Sequence, residues 1–334
     1  MKLHILISTS TEAAYNMALE EFLYEHYVVE QVSCCLLFWQ NKNALIVGRN
    51  QNVKNECDFD AIKEYNVEVI RRRTGGGAVY HDMGNLNFSF ICSKDIYDKE
   101  RSLKVIVSAL EKSNIVVSFS GRNDLLCCGK KISGNAYMSN SKAGLHHGTL
   151  LVDSDVEIMT KILTAKEYKL KPHGVTSIKS RVANLKQFNS RISVDELVYR
   201  IKQSFIEEYS VNNYMEYKEN DIIKITENEL FLNIYNKYKQ DEWNFGQIKD
   251  INYVAKQHFS WGEIEIQLMV KNSIIKDVVI YSDALCIDII EEVERFLIGK
   301  NIKTNLWEIY NRRINEHSVL KDIMYLLYNK IIRI

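Results

Sequence analysis

The sequence predicts an α+β fold, in which helices flank a mixed or antiparallel sheet and a small α+β unit follows at the C-terminal end. Strand-like and helix-like segments succeed one another without the regular alternation that is typical of parallel α/β proteins. Several neighbouring strands are separated only by short turns, which favours hairpins. Near residue 253 a polar stretch rich in Asn, Lys and Tyr gives way to a compact run of strands and helices. A chain of 334 residues is long enough for two such units.

Hydrophobic periodicity predicts the elements of the first unit in chain order. Apolar residues at helical spacing predict a helix over 13–28, and Leu86, Phe88 and Phe90 alternate with polar residues as in a half-buried strand. The segments 130–138 and 143–152 are predicted to pair as a hairpin. Other predicted strands are 35–40, 44–48, 67–71 and 115–119, and other predicted helices are 102–112, 193–209 and 226–240.

In the second unit, alternating apolar residues from Ile264 to Val270 predict a strand, and 274–281 the strand that returns beside it. Helices are predicted at 285–297, 304–314 and 317–331.

Composition excludes several classes of protein. The 43 basic and 43 acidic residues cancel, whereas a dedicated duplex-DNA binder shows a basic excess. The abundant apolar residues exclude intrinsic disorder. No run approaches the roughly 18 apolar residues of a membrane span, and no secretory signal is recognised at the start. The seven cysteines show neither zinc spacing nor favourable pairing, so free thiols in a reducing cytoplasm are expected.

The segment from Arg71 to Asp82 contains three arginines followed by Thr74 and three glycines. Glycines let a backbone adopt φ > 0 and approach a ligand, and their N–H groups can form a nest for an anion. Guanidinium groups are suited to phosphate. The spacing matches neither a Walker A loop nor a dinucleotide fingerprint. The alternative is a tight turn after a strand, with a solvated basic end, but the adjoining arginines favour a phosphate-binding loop.

A second polar segment runs from Gly121 to Tyr137. If 130–138 is extended, Lys131 shares one face with Ser133, Asn135 and Tyr137, and Gly134 lies on the other. A lysine ammonium can hold a carboxylate and a phosphate together. Upstream, Asp124 is a candidate Mg²⁺ ligand or simply closes a turn. The alternative for Lys131 is an exposed edge strand.

In a third segment, His146 and His147 are adjacent on a predicted strand and therefore face opposite sides. This arrangement disfavours a shared zinc ion. His147 shares its face with Thr149, and that face can line a cleft.

Taken together and in order, these segments resemble the lipoate–protein ligase A family of the biotin/lipoate ligase superfamily, in its bacterial arrangement with a C-terminal accessory domain. Thr74 stands where the family often has serine, so the hydroxyl is kept. The resemblance covers essentially the whole chain through segments 71–85, 121–125, 131–136, 146–151, 176–182, 243–246 and 259–262.

The resemblance implies a catalytic domain over 1–246, a hinge at 247–252 and an accessory domain over 253–334. It implies an ATP-dependent ligase that joins lipoate and ATP into lipoyl-AMP and passes the lipoyl group to a lysine of an acceptor. Mg²⁺ is expected with ATP, and the expected acceptors are E2 lipoyl domains or the glycine-cleavage H protein. Neither nucleic acid nor membrane is an expected partner, and the expected location is the cytoplasm.

The resemblance also implies residue roles, with Lys131 as the catalytic residue and Asp124 as a metal ligand. The implied nucleotide-binding residues are Arg72, Gly75, Gly76, Gly77, Ala78, Val79, Tyr80, Asn123, Asp124 and Lys131. The implied lipoate-binding residues are Arg72, His81, Lys131, Gly134, His147 and Thr149.

The residues disfavour three alternatives to the ligase. An octanoyl or lipoyl transferase of the same fold needs a cysteine downstream of the lysine motif, and no cysteine lies between Cys128 and Cys286. A biotin ligase would carry a Gly-Arg-Gly-Arg-type loop, which is absent. A non-catalytic lipoate-binding protein is disfavoured by the intact Arg72, glycine run and Lys131.

Overall fold

The computed structural model describes residues 2–28, 32–120, 123–164, 181–210, 214–217, 219–246, 250–302 and 318–332. The chain forms two compact units. Unit 1 contains Met1–Val47, Glu56–Arg72 and Ala78–Asn244, and unit 2 contains Gly48–Asn55, Arg73–Gly77 and Phe245–Ile334. The glycine run therefore groups with the C-terminal unit, although the strands on either side of it belong to unit 1.

Unit 1 is built on an eight-stranded mixed sheet with the order β11-β1-β2-β6-β10-β9-β8-β7. In this sheet β1 runs parallel to β2 and β11, and the remaining pairs are antiparallel. A smaller sheet has the order β4-β3-β5. The strands are β1 Leu3–Ile7, β2 Cys34–Trp39, β3 Asn43–Val47, β4 Glu68–Arg71, β5 Val79–Asp82, β6 Asn85–Ser93, β7 Ser118–Ser120, β8 Asp124–Cys127, β9 Lys130–Ser139, β10 Ala143–Leu151 and β11 Tyr214–Tyr217.

Helices cover both faces of the large sheet and create two cores. Val105 and Ile106 of α3 pack with Phe205 of α5 in the core on one face. Met17 and Leu19 of α1 pack with strands of the small sheet in the core on the other face. The helices are α1 Ala13–Phe22, α2 Phe59–Glu64, α3 Lys99–Lys112, α4 Val156–Ile162, α5 Val194–Tyr209, α6 Glu219–Thr226, α7 Glu229–Tyr238 and α8 Asp241–Phe245. This layering is the predicted α+β fold, and it leaves the site on the α1 face.

Several elements differ from the sequence prediction. The helix predicted over 13–28 is α-helical only to Phe22 and continues as a π-helical turn over Leu23–Tyr27. The helix predicted over 226–240 is shorter in the structure, where α7 covers Glu229–Tyr238 and Asn228 caps its start. The half-buried strand predicted around Phe88 is buried on both faces, because α1 and the small sheet cover the polar side of β6.

The prediction that all cysteines are free is wrong for one pair. Cys34 and Cys92 lie opposite each other on β2 and β6, with Cα atoms 4.0 Å apart, and form a disulfide. The two residues are 58 positions apart in sequence, so only the register of the two strands reveals the pairing.

Unit 2 contains an antiparallel sheet of β12 Tyr253–Phe259, β13 Gly262–Lys271 and β14 Ile274–Ser282. Helices α9 Ile287–Leu297 and α10 Ser318–Leu327 pack on it, followed by a π-helical turn over Tyr328–Ile332. The helix predicted at 304–314, most of the loop 176–182 and residues 247–249 of the predicted hinge lie outside the described residues. None of the described helices is long and apolar enough to cross a bilayer.

Candidate functional site

A buried polar row runs along the α1 face of the large sheet. Asn85, Asn87 and Ser89 occupy alternate positions of β6 and are completely buried. Asn87 donates a hydrogen bond to the Trp39 carbonyl at 3.2 Å, and the Trp39 indole donates to Ser89 Oγ at 3.0 Å. Burying amides and hydroxyls costs free energy unless they form hydrogen bonds. This row therefore marks a polar site between the two layers.

Glu20 links this row to His147. Its carboxylate accepts a hydrogen bond from Ser89 Oγ at 2.5 Å and lies 2.9 Å from His147 Nδ1. His147 Nδ1 thus donates to Glu20, which fixes the orientation of the imidazole. His147 shares its strand face with Thr149, as predicted.

His81 lies beside the same row, with its ring centroid 5.7 Å from that of Trp39. Asn41 Nδ2 lies 3.2 Å from His81 Nδ1, so Nδ1 accepts and Nε2 carries the proton. Burial, together with the neighbouring Arg72 and His147, lowers the pKa of His81 to about 3. Among the described residues, no group accepts a hydrogen bond from the buried Nε2. His81 therefore offers a neutral, buried donor suited to a ligand.

Arg72 follows β4 and is buried against the small sheet. Its backbone N–H donates to the Val47 carbonyl at 2.9 Å, and its Nη1 donates to the Ile46 carbonyl at 3.1 Å. Burial lowers the pKa of Arg72 to about 10, although the nearby carboxylates of Glu20 and Glu56 oppose the shift. The guanidinium still carries its charge at neutral pH, so the site holds a buried cation.

Lys131 lies on the opposite strand face from the one that regular alternation predicts. The pairing of β8 with β9 is irregular: Leu125 pairs with Ser133, but Leu126 pairs with Lys131. This shift moves Lys131 to the face of Gly134. The two residues are close neighbours there, because a Cβ added at Gly134 would lie 3.0 Å from Lys131 Nζ. The prediction that Lys131 shares a face with Ser133 and Asn135 is therefore wrong.

The position of Lys131 brings candidate residues of the second and third motifs together on one face. Its Nζ pairs with Asp124 Oδ1 at 2.8 Å, and both side chains are about a quarter exposed, 29% and 24%. Gly134 N–H donates to Thr149 Oγ1 at 3.2 Å. Ala183 N–H donates to the Lys131 carbonyl at 2.9 Å, which holds the irregular segment in place.

Asn135 and His146 lie on the other face and fix the strands from behind. Asn135 Oδ1 accepts from His146 Nε2 at 2.9 Å, and Ser102 Oγ lies 2.7 Å from His146 Nδ1. Asn123 Nδ2 donates to the Asn135 carbonyl at 2.6 Å. The amide of Asn123, a predicted nucleotide ligand, thus ties β8 to β9.

The glycine run belongs to unit 2. Gly76 has a φ of +90°, and its N–H donates to the Ala284 carbonyl at 3.1 Å. An added Cβ at Gly75 would lie 2.3 Å from the same carbonyl oxygen. These positions therefore require glycine for backbone conformation and close approach.

In unit 1, Val79 shares its face of β5 with His81, whereas the Tyr80 hydroxyl donates to Asn43 Oδ1 at 2.9 Å.

One sequence expectation for a charged group changes in the structure. Arg71 is not available for phosphate in the way the arginine run suggests, because its guanidinium donates to the carbonyls of Trp243 and Asn244 at 3.1 and 3.0 Å. Within the described ranges, no three His, Cys, Asp or Glu side chains converge as a resident metal site requires. Asp124 supplies one carboxylate, which suits Mg²⁺ carried in on substrate phosphates.

Four free cysteines of the described segments, Cys35, Cys57, Cys127 and Cys286, lack the lowered pKa of a reactive thiolate. Burial raises the pKa of Cys127 to about 11, helped by its hydrogen bond to Cys128, and burial raises the pKa of Cys57 to about 11. Burial also raises the pKa values of Cys35 and Cys286. A catalytic cysteine requires the opposite shift.

Sequence reasoning missed Glu20, Ser89 and Asn41 as members of the site. The signal was present in β6, where asparagine and serine alternate with phenylalanine in a strand that both layers cover. Glu20 could not be found from its helix alone, because acidic residues on helices are usually solvated.

Two families of known proteins match the chain, each over a different part of it. Residues 12–206 match the family described as the lipoyl protein ligase A/B catalytic domain, and residues 249–318 match the bacterial lipoate protein ligase C-terminus. A lipoate-protein ligase A from Psychrobacter cryohalolentis is 35% identical over 300 residues, which cover 89% of this chain and 88% of the relative.

Solved structures give the same picture. LipL1 of P. falciparum in complex with lipoate is similar with a TM-score of 0.84 at 29% identity, over 98% of this chain and 100% of that one. A lipoate-protein ligase A bound with ATP is similar with a TM-score of 0.63 at 26% identity, over 74% and 100%. A structure from the analysis of a bipartite lipoate protein ligase and its E2 lipoyl domain, from Thermoplasma acidophilum, is similar with a TM-score of 0.62 at 27% identity, over 74% of this chain and 97% of that one.

Proposed function

The chain belongs to the lipoate–protein ligase A family, and from this premise we propose that it activates free lipoate with ATP and transfers the lipoyl group to a lysine of an acceptor protein. The relatives confirm the predicted family and the predicted ATP-dependent ligase class. The observation that carries the mechanism is Lys131, an ammonium at the edge of a buried polar site and paired with a single, partly exposed carboxylate.

In the first step, an oxygen of the lipoate carboxylate attacks the α-phosphorus of ATP. The bond from the α-phosphorus to the bridging oxygen breaks, pyrophosphate leaves, and lipoyl-AMP remains. Catalysis of such a step needs positive groups around the anions rather than a covalent nucleophile. Lys131 fills this role by contacting the carboxylate and the α-phosphate. Partly exposed ion pairs contribute about 0–1 kcal/mol to stability. Breaking the pair of Lys131 with Asp124, so that the ammonium can contact substrate, therefore costs little free energy.

The nucleotide is held by Arg72, the glycine run from Gly75 to Gly77, and Ala78 with its neighbours Val79 and Tyr80. Arg72 supports this role because it is a buried, permanently charged donor. The positive φ of Gly76 supports a loop that approaches phosphates closely. Asn123 is assigned to the same group through its position beside Asp124.

Asp124 is the proposed protein ligand of Mg²⁺. When bound, the ion neutralises charge on the nucleotide phosphates. The fit rests on donor chemistry, since Mg²⁺ uses one or two carboxylates together with substrate phosphates.

The lipoyl group occupies the α1 face of the sheet, between Gly134, Thr149 and His147 on one side and His81 on the other. The unpartnered Nε2–H of His81 supports a ligand acceptor there, and the ring of Trp39 beside it gives an apolar surface. Gly134 supports a ligand that passes close to the strand, because any side chain there would meet Lys131.

In the second step, the amine of an acceptor lysine attacks the carbonyl of lipoyl-AMP. The bond from that carbonyl carbon to the phosphate oxygen breaks, AMP leaves, and the amine loses a proton as the amide forms. E2 lipoyl domains and the glycine-cleavage H protein are the proposed acceptors, and the archaeal relative studied with its E2 lipoyl domain supports the first of these. The hinge at 247–252, the accessory domain after it and a cytoplasmic location are parts of the same proposal.

The half-reaction without acceptor tests this function. Wild-type protein given ATP, Mg²⁺ and lipoate should release pyrophosphate and retain lipoyl-AMP. Lys131→Ala should lower the rate by about 10²–10³-fold, the cost of removing a preorganised donor. Lys130→Ala is the matched control, because Lys130 is the neighbouring exposed lysine on the same strand and should keep the wild-type rate. Lipoate binding without pyrophosphate release would identify a non-catalytic binding protein instead.

A further inference from the structure

The segment Lys237–Asn244, here called the clamp segment, contacts the rest of unit 1 at two points. One point is Arg71, which lies directly before Arg72 in sequence. The other is Glu21, which lies directly after Glu20. Arg72 and Glu20 are both charged groups of the site, and both are buried, at 6% and 5% exposure.

The grip on Arg71 involves both backbone and side chain. Arg71 N–H donates to Asn244 Oδ1 at 2.9 Å, and the Trp243 indole donates to the Arg71 carbonyl at 2.7 Å. The Arg71 guanidinium donates to the backbone carbonyls of both residues. Four hydrogen bonds thus fix one residue, and successive side chains of an extended chain point to opposite sides. A residue held this firmly from outside determines where Arg72 points.

The grip on Glu21 uses the other end of the clamp segment. Lys237 Nζ lies 2.6 Å from the Glu21 carboxylate, and the Tyr238 hydroxyl donates to it at 2.7 Å. Glu21 is nearly buried, with 10% of its side chain exposed, so this pair is better protected from solvent than an ordinary surface pair. Its fixed position on α1 also sets the position of the preceding Glu20.

The two ends of the clamp segment are bound to each other. Asn244 Nδ2 donates to the Tyr238 carbonyl at 2.8 Å, and the Tyr238 and Trp243 rings meet edge to face with centroids 5.9 Å apart. Lys237 Nζ lies 4.4 Å from the centroid of the Trp243 ring. The segment is therefore a compact brace rather than a flexible strap between β4 and α1.

From these contacts we infer that Arg71 and Glu21 are positioning residues, and that the clamp segment sets the separation of Arg72 and Glu20 inside the site. This inference rests on the proposed function, because it gives Arg72 its role in adenylate formation. The charge of Glu20 acts on Arg72 across the site, so their separation has an electrostatic consequence. The clamp segment does not touch substrate in this scheme and acts only through its neighbours.

The test measures the two half-reactions separately in the full-length enzyme. Arg71→Lys keeps the charge but loses the fork that reaches two carbonyls, and Glu21→Gln keeps the size but loses the charge. Each variant should reduce lipoate-dependent pyrophosphate release about 10–100-fold, the range expected for misplacement of a catalytic group by up to 1 Å. The rate of transfer from supplied lipoyl-AMP to an acceptor should change less than about 3-fold. This half-reaction starts after pyrophosphate has left and so does not include the step that the variants slow.

Controls separate positioning from simple stability. Glu242→Ala alters an exposed residue of the clamp segment that makes neither grip, and should keep both rates. Trp243→Phe keeps an aromatic ring and the backbone carbonyl but removes the indole N–H that donates to the Arg71 carbonyl, and should reproduce the Arg71→Lys effect in part. Melting temperatures show whether each variant folds.

Coupling gives a second readout. If the clamp segment positions both residues as one unit, the Arg71→Lys, Glu21→Gln double variant should be no slower than the slower single variant. The rate losses of residues that share one network are not additive. Multiplicative losses, or equal losses in both half-reactions, would overturn the inference. If wild-type protein forms no lipoyl-AMP, the proposed function fails. The positioning role of the clamp segment is then tested by ATP titration, and an unchanged ATP affinity in Arg71→Lys would refute that role.

Discussion

Substitution of Gly134 by alanine separates the position of Lys131 from the stability of the fold. An added Cβ would lie 3.0 Å from Lys131 Nζ and 3.2 Å from its Cε, and the next neighbour is Thr149 Oγ1 at 4.0 Å. The close atoms therefore belong to the flexible end of one side chain. The backbone accepts the change, because Gly134 is not among the glycines with positive φ.

The effect on stability is the sum of two small contributions. Alanine in place of a strand glycine stabilises by about 0.5–1 kcal/mol. Displacement of the Lys131–Asp124 pair costs about 0–1 kcal/mol, since both side chains are partly exposed. The free energy of unfolding should therefore change by less than about 1 kcal/mol.

The effect on catalysis should be larger. The ammonium must move by several tenths of an ångström to about 1 Å, and misplacement of that size can reduce a rate by roughly 100-fold. We expect lipoate-dependent pyrophosphate release to fall 10–100-fold, with the melting temperature nearly unchanged.

Gly148→Ala is the matched control for this variant. It lies on the neighbouring strand and the opposite face, where an added Cβ would be 2.4 Å from Phe88 Cζ and 2.6 Å from Asn135 Oδ1. Overpacking there should cost about 1–3 kcal/mol of stability. Pyrophosphate release by Gly134→Ala at the wild-type rate, or a loss of stability equal to that of Gly148→Ala, would refute the assigned position of Lys131.

His81, the Cys127–Cys128 pair and Gly76 provide three further tests. The pKa of His81 is about 3 in the folded protein, against 6.5 when unfolded, so the unfolded chain takes up the proton first and stability is lost as pH falls below 6.5. The loss between pH 7.5 and 5 is about 2 kcal/mol, and His81→Gln should therefore show a shallower fall in melting temperature than wild type; parallel curves would contradict this. Cys127→Ser combined with Cys128→Ser should retain ligation, because the buried Cys127 thiol is not ionised; loss of turnover in a folded variant would favour a transferase. Gly76→Val should weaken ATP binding at least about tenfold, because the residue has a φ of +90°. An unchanged ATP titration would remove the loop from the nucleotide site.

Local patterns predict individual strands better than their partners. The segments 35–40 and 44–48 are both strands, but β2 belongs to the large sheet and β3 to the small one. Their apolar patterns are alike because both strands are buried, and only the tertiary arrangement separates them. The Cys34–Cys92 pair was missed for the same reason, since register is a property of two strands rather than one.

The position of Lys131 shows how a single irregularity changes a functional prediction. Regular alternation assigns it to the face of Ser133, and an irregular pairing of one residue reverses this. The motif still predicts a role for Lys131, because a lysine beside glycine and asparagine in this family pattern does not depend on strand register. That role stays a prediction, and the fold determines which of the candidate residues lie beside Lys131.

Arg71 and Arg72 illustrate a further limit of sequence reasoning. Adjacent arginines give the same chemical signal, but Arg72 enters the polar site whereas Arg71 binds carbonyls of a segment more than 170 positions away. No local pattern distinguishes these two environments.

The most direct measurement is the mass of an apo lipoyl domain after incubation with the wild-type protein, free lipoate, ATP and Mg²⁺. The domain should gain one lipoyl group on a single lysine, and the gain should require both ATP and lipoate. An acceptor in which arginine replaces that lysine should gain nothing. An unmodified domain beside folded, lipoate-bound protein would contradict ligase activity, and a gain without ATP from a preformed thioester donor would instead identify an acyl transferase.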